Sequence, residues 1–206
     1  MAHTIERAPT GRAKCRACKQ ALVKDELRMG EETSNAFGAG TAMHWYHLAC
    51  GARQRPEAFI AAWQDFEPLC DVADVKAQGT ALLQTAELGK VYYRLQRFVR
   101  IERASSGRAR CQGCRKLIEK GALRFVLQRI EDGMVAGAGF THLDCAHAYA
   151  GAVDELVERV IGQSELDQES WSEVKVSVER QANLPREIKV PFRRTDVDGE
   201  EPQDEN

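Results

Sequence analysis

The chain has 206 residues with 29 basic and 31 acidic side chains, a formal net charge of −2. This length accommodates one or two domains. No apolar run approaches the roughly 20 residues that a membrane helix needs, which excludes a membrane partner from our expectations. The charge is unevenly spread, because residues 1–60 and residues 101–150 each carry +3 whereas residues 151–206 carry −8. The near-neutral total therefore does not exclude a polyanionic partner for the basic regions.

A set of four metal-binding side chains occurs twice along the chain. The sets are Cys15, Cys18, His47 and Cys50, and Cys111, Cys114, His142 and Cys145. Three thiolates and one imidazole close a tetrahedral Zn²⁺ site and leave no position for water or substrate. The sequence therefore predicts two structural Zn²⁺ ions per chain, no small-molecule substrate and no enzymatic activity.

Disulfide bonds are the alternative use of these cysteines. The segment Met1 to Arg7 lacks the apolar core of a secretory signal, and CxxC pairs in a reducing compartment more often hold metal. We therefore expect an intracellular zinc protein. Cys70 has no Cys or His at ligand spacing, which favours a packed or idle thiol over a redox role.

An internal repeat accompanies the two ligand sets. Residues 5–15 match residues 101–111 at eight of eleven positions, at an offset of 96 residues. Such repeats indicate duplicated structural units. We predict one unit in residues 1–95, a second in residues 96–180, and an acidic, disordered tail in residues 181–206. Units of this size are marginal without metal, so zinc binding is expected to be coupled to folding.

The predicted elements follow the same order in both units. Alternating apolar residues at 26–29 and 122–127 indicate strands, and small residues at 35–40 and 131–134 indicate hairpin turns. Each His-x2-Cys pair is expected to open a helix, and residues 56–63 continue helically. An echo of Gly79 and Val91 at Gly162 and Val174 suggests that a short helix closes each unit. The predicted fold class is α+β, with a short antiparallel sheet and packed helices around each Cys3His site.

These motifs resemble the poly(ADP-ribose) polymerase-type zinc finger. The likeness rests on Gly11-Arg12-Ala13-x-Cys15-x2-Cys18, on Leu27-Arg28-Met29 and on His44-Trp45-Tyr46-His47-x2-Cys50, with 28 residues between the two ligand pairs. The second unit retains Gly107-Arg108-Ala109-Arg110-Cys111, Leu123-Arg124 and the ligands, with 27 residues between the pairs. It departs at Phe140-Thr141, which replace Trp45-Tyr46 and predict weaker aromatic support.

The resemblance implies recognition of DNA strand breaks (nicks, gaps or ends) rather than of base sequence. Fingers of this family occur in nuclear poly(ADP-ribose) polymerases, a DNA ligase and a DNA end-processing phosphatase. About 28 residues follow the second finger, too few for such an enzyme, so we expect action by binding, in DNA damage sensing or repair, with a separately encoded repair enzyme as a further partner. The resemblance also implies the nucleus as the location in a eukaryote, or the cytoplasm and nucleoid in a bacterium.

Two kinds of DNA contact are expected. The positions that correspond to the family's phosphate-contacting arginines are Arg12, Arg28, Arg108 and Arg124; Lys14, Arg16, Arg110 and Arg115 are alternatives better read as solvated charges. The candidates for stacking on an exposed base are Phe37 and Met43 in the first unit and Met134 and Val135 in the second. Phe37 could instead fold onto its own sheet. Trp45 and Tyr46 are expected to pack beneath the zinc, and His44 and His147 rank below His47 and His142 as ligands.

Two other functions remain open on the sequence. One is a protein-interaction adaptor that uses the zinc fold as a scaffold; the other, weaker because no recognition helix is apparent, is a transcriptional regulator. Arginines that line one face favour DNA binding, whereas dispersed or ion-paired arginines favour the adaptor.

Elemental analysis of the purified chain tests the ligand sets directly. We expect about two zinc ions per chain, because each set supplies four ligands. A chain that folds with no bound metal would contradict the fold argument.

Overall fold

A computed structural model describes residues 3–34, 39–131 and 134–189, without the side chains of residues 130, 131, 134 and 135. It contains two antiparallel three-stranded sheets. The first sheet comprises β1 (His3–Arg7), β2 (Leu27–Ser34) and β3 (Thr41–His47). The second comprises β4 (Phe98–Arg103), β5 (Leu123–Glu131) and β6 (Met134–His142). The central strand of each sheet follows a CxxC pair, as the alternating apolar residues predict.

The helices cover one face of each sheet. In the first unit they are α1 (Leu48–Gln54), α2 (Pro56–Phe66) and α3 (Ala73–Val91). In the second they are α4 (Ala146–Ala150), α5 (Leu156–Val160) and α6 (Gln168–Ala182). Helix α1 begins directly after His47, and Pro56 occupies the first turn of α2, where its missing N–H costs nothing. In the second unit a short 3₁₀ segment, Leu143–Cys145, precedes α4.

Strand register confirms the duplication. In the first sheet Arg28 pairs with Glu6 on one side and with His47 on the other. In the second sheet Arg124 pairs with Glu102 and His142 in the same way. The offset of 96 read from residues 5–15 thus holds for the first two strands, and it becomes 95 at the third strand, where the pairing is otherwise the same.

Each core contains a small group of aromatic residues among aliphatic ones. In the first, Phe59 and Trp63 of α2 are fully buried with ring centroids 6.2 Å apart. In the second, Phe98 meets Phe125 edge to face at 5.1 Å and Tyr149 at 5.7 Å. Such pairs add about 0.5–1.5 kcal/mol beyond their burial. Each sheet therefore has its own small core on the face that the helices cover, and we call the opposite face, which carries Arg28 in the first sheet and Arg124 in the second, its open face.

The two units dock through α5 of the second. Glu155, which precedes α5, accepts hydrogen bonds from Arg53 of the first unit at 2.7 Å and from Thr85 at 2.5 Å. Arg159 of α5 is only 5% exposed and donates to the carbonyl of Arg53, near the end of α1. Burial lowers the pKa of Arg159 to about 10, and the nearby Glu155 carboxylate opposes that shift. The relative placement of the two units is thus set by a buried, charge-assisted contact.

The sequence echo between Gly79 and Gly162 does not correspond to equivalent positions. Gly79 lies inside α3 against Trp63 of its own unit. Gly162 lies in the 3₁₀ segment Ile161–Gln163, where an added Cβ would lie 2.6 Å from the Cβ of Cys18 in the other unit. The closing helices are also longer than predicted, with 19 residues in α3 and 15 in α6. Each glycine is therefore explained by the side chain packed against it and not by a shared position in the repeat.

The predicted tail begins too early. Gln181 is 4% exposed, accepts a hydrogen bond from the backbone N–H of His147 and donates one to the carbonyl of Leu143. Farther on, the N–H of Glu187 donates to the carbonyl of Gly151 at 2.8 Å. A buried amide with partners at both ends belongs to the second unit rather than to a tail. Residues 190–206 lie outside the described part of the chain.

Among the described residues, none of the helices is both long enough and apolar enough to cross a membrane.

Two glycines of α3 give a matched test of this packing. A methyl group at Gly79 would overlap the buried Trp63 ring, so we expect Gly79→Ala to lower the free energy of unfolding by about 1–3 kcal/mol. In Gly89→Ala the methyl group would lie 3.6 Å from Pro56, an ordinary contact, and helix propensity should make the change neutral or stabilising by up to about 1 kcal/mol. Urea unfolding of the zinc-loaded chain measures both. Equal effects at the two positions would contradict the packing.

Candidate metal centres and nucleic-acid interface

Each CxxC pair lies in a tight turn that presents its two sulfur atoms to one side. The amide of Cys15 donates to the carbonyl of Gln20, and the amide of Lys19 to that of Cys15. The turn needs a left-handed residue after the second cysteine, and Lys19 adopts φ 65°. In the second unit Arg115 occupies the same position, also with φ 65°. Two non-glycine residues in this uncommon region indicate a turn that the surroundings impose.

The ligand atoms of each set converge. Within each set they all lie within 4.8 Å of one another. The Nδ1 of His47 is 3.4 Å from the sulfur of Cys18 and 3.9 Å from that of Cys50. The second set gives 3.4 Å and 3.8 Å around His142. Zinc bonds of about 2.3 Å to sulfur and about 2.0–2.1 Å to nitrogen place tetrahedral neighbours about 3.6 Å apart. Both sets therefore fit Zn²⁺ through sulfur and Nδ1.

Neighbouring polar groups orient these ligands. The Nε2 of His47 lies 3.2 Å from the carbonyl of Ala21, and that of His142 lies 3.1 Å from the carbonyl of Leu117. A proton on Nε2 donates to this carbonyl and leaves Nδ1 free as the metal ligand. The amides of Gly113 and His142 also donate to the sulfur of Cys111, at 3.3 and 3.4 Å. Such donors stabilise a thiolate.

One thiol of each set has a lowered pKa. A hydrogen bond from Cys50 is the largest cause at Cys15, whose pKa falls to about 4 against the opposing effect of burial. At the exposed Cys114 the backbone N–H of Lys116 is the main cause, and the pKa falls to about 7. In each site one thiol is thus the first to ionise, whereas burial raises the pKa of Cys18 and Cys145, and the hydrogen bond with Cys15 raises that of Cys50. Bound Zn²⁺ favours the thiolate form of every ligand cysteine.

The other candidate ligands lie elsewhere. Of the described His and Cys residues, His3, His44, His147 and Cys70 belong to neither ligand group. His147 is buried and its amide is bonded to Gln181. Cys70 is 8% exposed, and its thiol lies 3.7 Å from the carbonyl of Val72. The prediction of a packed thiol at Cys70 is confirmed.

Arg28 lies on the open face of the first sheet and is more enclosed than a phosphate-contacting arginine was expected to be. It is 7% exposed, because its guanidinium lies over the Trp45 ring at 3.5 Å from the centroid. Its Nε and Nη2 both donate to Oε1 of Glu6, at 3.1 and 2.5 Å. Gly30 leaves the space in which Trp45 closes over β2, since an added Cβ would lie 2.7 Å from the indole.

The second unit repeats this arrangement. Arg124 is 6% exposed, lies 3.5 Å from the centroid of the Phe140 ring, and donates from Nε and Nη2 to Oε1 of Glu102 at 3.1 and 2.6 Å. Phe140 thus fills the position of Trp45 with the same stacking distance. The prediction of weaker aromatic support is therefore wrong at this position, whereas Thr141 stands where the first unit has Tyr46 and leaves this pair one ring fewer. We call the pair Arg28–Trp45 with Glu6, and the pair Arg124–Phe140 with Glu102, the two arginine stacks.

Several other basic side chains near the metal are exposed. They include Arg12 and Arg108, ahead of the first ligand of each set, and Lys14, Arg16, Arg110 and Arg115 within or beside the CxxC turns. Their charged ends therefore face solvent, in contrast to the two stacked arginines. Arg115 also donates to Gln112 at 3.0 Å, and Arg110 to the carbonyl of Arg115 at 3.3 Å.

The stacking candidates are only partly placed. Met43 is 38% exposed and lies beside Trp45 on the open face, since an added Cβ at Gly30 would lie 2.9 Å from its sulfur. Phe37 lies outside the described residues. Met134 and Val135 are in β6, and their side chains lie outside the described part of the structure. Tyr46 is buried and donates to Glu31 at 3.3 Å, whereas Trp45, which was also expected to pack beneath the zinc, lies over Arg28 on the open face.

Sequence reasoning missed the two glutamates. Glu6 and Glu102 lie within the repeated Ile-Glu-Arg segment, and that repetition was the signal available. The sequence did not reveal their role, because the register of the sheet decides which arginine of the central strand each glutamate faces. Burial of Arg159 and its contact across the units were also missed, since no local pattern encodes them.

Fold and donor set together define a protein built from two Cys3His zinc-finger units. Residues 6–86 match the family model described as the poly(ADP-ribose) polymerase and DNA-ligase Zn-finger region. The first unit is therefore a zinc finger of the poly(ADP-ribose) polymerase type.

Curated relatives agree with this assignment. The chain is 32% identical over 136 residues to poly(ADP-ribose) polymerase 1 of Gallus gallus. This alignment covers 59% of this chain and 13% of the relative. The chain is 30% identical over 157 residues to the Drosophila melanogaster enzyme (69% and 16%) and 31% identical over 130 residues to that of Danio rerio (59% and 13%). These alignments are longer than the first unit, so they include part of the second. The chain spans less than a fifth of the length of these relatives.

Burial predicts that the two metal sites differ in lability. Cys114 is exposed, whereas Cys18 is partly covered by Gly162 of the other unit. Zinc transfer to a chromophoric chelator should therefore show two phases, with the faster one from the second site. Cys114→Ser should remove the fast phase and Cys18→Ser the slow one. A fast phase that survives Cys114→Ser would contradict the assignment.

Proposed function

We propose that this chain is a zinc-dependent DNA-binding protein that recognises strand breaks by phosphate contacts and base stacking, in DNA damage sensing or repair. Support comes from the zinc-finger family of residues 6–86 and from relatives that are poly(ADP-ribose) polymerases. A repair enzyme encoded separately is the partner that such a binding protein would direct to a break.

The observation that carries the proposal is the duplicated arginine stack. In each unit a guanidinium lies over an aromatic ring at 3.5 Å from the centroid, and its residue pairs directly with a zinc-ligating histidine on the neighbouring strand. A ring beneath the guanidinium fixes its plane at little entropic cost. Zinc fixes the histidine, the histidine fixes the end of the strand, and the strand fixes the arginine. The same construction on two units supports a common use.

The glutamates determine how these arginines can act. Each glutamate engages Nε and Nη2 and leaves the Nη1 edge of the guanidinium outside the pair. A phosphate would approach along that edge, but the carboxylate reduces the net attraction. The exposed Arg12 and Arg108 therefore contribute most of the long-range electrostatic attraction, and Arg28 and Arg124 contribute orientation at close range.

An exposed base pair distinguishes a break from an intact duplex. Met43 offers an apolar contact next to the Arg28 stack, and Phe37, which comes earlier in the sequence, is the aromatic candidate. Stacking on one base is worth about 1–3 kcal/mol. The stacking free energy is gained only where a base face is accessible, so stacking gives preference for a break rather than general affinity for DNA.

The ion pairs favour one other function, a protein-interaction adaptor. Arg28 and Arg124 both satisfy a glutamate of their own sheet, which is the arrangement expected if the stack serves the scaffold. An adaptor would bind its partner with the open face or with the acidic C-terminal residues and would show no affinity for broken DNA.

Fluorescence anisotropy separates these functions. The zinc-loaded chain is titrated with a nicked hairpin duplex and with the same duplex sealed, over a salt series. We expect tighter binding to the nicked duplex, and Arg12→Gln with Arg108→Gln should weaken binding to both and reduce the salt slope by about 2, one for each lost phosphate contact. Arg180→Gln, which removes an exposed arginine of α6, is the matched control and should change neither.

Two further variants assign the roles. Phe37→Ala should erode the preference for the nick, whereas Glu6→Gln should tighten binding to both duplexes because it removes the carboxylate beside Arg28. Equal affinity of the wild type for nicked and sealed duplex would end the break-recognition proposal, and no measurable DNA binding would favour the adaptor.

A further inference from the structure

We propose that the cleft between the two units binds a short single-stranded segment of DNA beside the break. This inference rests on the proposed function and names the kind of break, because a gap or an overhang supplies unpaired nucleotides and a simple nick supplies none. The argument begins with the walls of the cleft.

The cleft has a volume of about 840 Å³ and is lined by both units. Its basic side chains are Arg16, Lys19, Arg55, Arg97 and Arg129, against the carboxylates Glu31 and Glu57. The imidazole of His3 adds a buried Nδ1 that has no hydrogen-bond partner among the described residues. A cleft with this excess of positive charge attracts an anionic ligand and focuses its field on that ligand.

One of the two carboxylates is already neutralised. Glu31 is 5% exposed and accepts hydrogen bonds from Nε of Arg55 at 2.9 and 2.7 Å, and from the hydroxyl of Tyr46 at 3.3 Å. Glu31 thus holds Arg55 in a fixed place, and because these two charges cancel, the attraction for an anion comes from Arg16, Lys19 and Arg97 against Glu57. The Arg55 guanidinium keeps its Nη1 outside this pair, as the stacked arginines do.

The segment that joins the two units supplies an aromatic ring to the cleft, that of Tyr93. Tyr93 and Arg97 lie in the 3₁₀ segment Tyr93–Arg97 between the two units, and the Arg97 guanidinium is 5.3 Å from the Tyr93 ring centroid. Arg97 is held by a hydrogen bond of 3.2 Å to the hydroxyl of Tyr149. Tyr93, which Arg94 also contacts, is thus one ring set among basic side chains, and a base that stacks on such a ring binds without sequence preference.

The volume of the cleft suits a single strand better than a duplex. A volume of 840 Å³ lies within the range of small-ligand pockets, about 300–1,000 Å³. It accepts a few nucleotides of one strand, whereas a base-paired duplex needs an open surface. The cleft therefore complements the open faces of the sheets, where the arginine stacks lie.

The cleft and the Arg28 stack are on opposite faces of the first sheet. Arg28 and Glu31 are three positions apart in β2, and successive side chains of a strand point to alternate faces. A broken duplex on the open face and an unpaired strand in the cleft would then occupy separate sites. The contacts of Glu155 and Arg159 fix the second wall of the cleft relative to the first.

The test compares a sealed hairpin duplex, a nicked one and one with a gap of about five nucleotides, all titrated with the zinc-loaded full chain. We expect the wild type to bind the gapped duplex about tenfold more tightly than the nicked one. Arg97→Gln and Tyr93→Leu should remove that advantage and leave the affinity for the nick unchanged, and Arg180→Gln should leave both affinities unchanged.

Gln128→Glu provides a second variant that does not depend on the Arg97 contacts. It adds a negative charge to the cleft wall from β5 and should weaken binding of the gapped duplex alone. Equal binding of nicked and gapped duplex by the wild type, or equal losses on both duplexes in these variants, would overturn the inference while leaving break recognition intact. Equal binding of nicked and sealed duplex would instead refute the proposed function.

Discussion

Closure of the two Cys3His sets is the constraint on which the rest of this structure depends. Each set joins a CxxC turn to the start of the segment that follows the third strand, and so holds together two parts of the chain that are 28 or 27 residues apart. The cores are small, with a few aromatic side chains each, and units of this size are marginal by burial alone. The metal ligands therefore define where the open face of each sheet lies and where its arginine is placed.

The arginine stacks show how a basic side chain can be positioned without being exposed. A solvated arginine samples many rotamers, and ordering it on a phosphate costs entropy. Arg28 and Arg124 have lost that freedom in the folded chain, because a ring and a glutamate hold each guanidinium. The acidic partner lowers the net charge of the face, which shifts long-range attraction to Arg12 and Arg108. Orientation and attraction are thus divided between different residues in both units.

Docking of the second unit onto the first adds a feature that neither unit has alone. Glu155 and Arg159 join α5 to the first unit, and Gly162 approaches the Cys18 side chain. Because Arg159 is buried with one nitrogen unpartnered among the described residues, the contact has a cost that its hydrogen bonds must offset. Its consequence is a cleft with basic walls from both units.

The sequence by itself determined the ligands, their order, the duplication and the central strands, since metal-ligand spacing and strand periodicity are local properties. It also placed Arg28 and Arg124 beside the metal. It did not predict that Glu6 and Glu102 bind these arginines or that Gln181 is buried. It also did not predict that Phe140 stacks on Arg124 at the same distance as Trp45 on Arg28. Those facts depend on strand register and on contacts between residues far apart in the chain, and a repeat offset is silent on both. Only the tertiary structure decided that Gly162 packs against Cys18 of the other unit and that Arg159 is buried. Packing between the units depends on the shapes of their surfaces, which sequence periodicity does not describe.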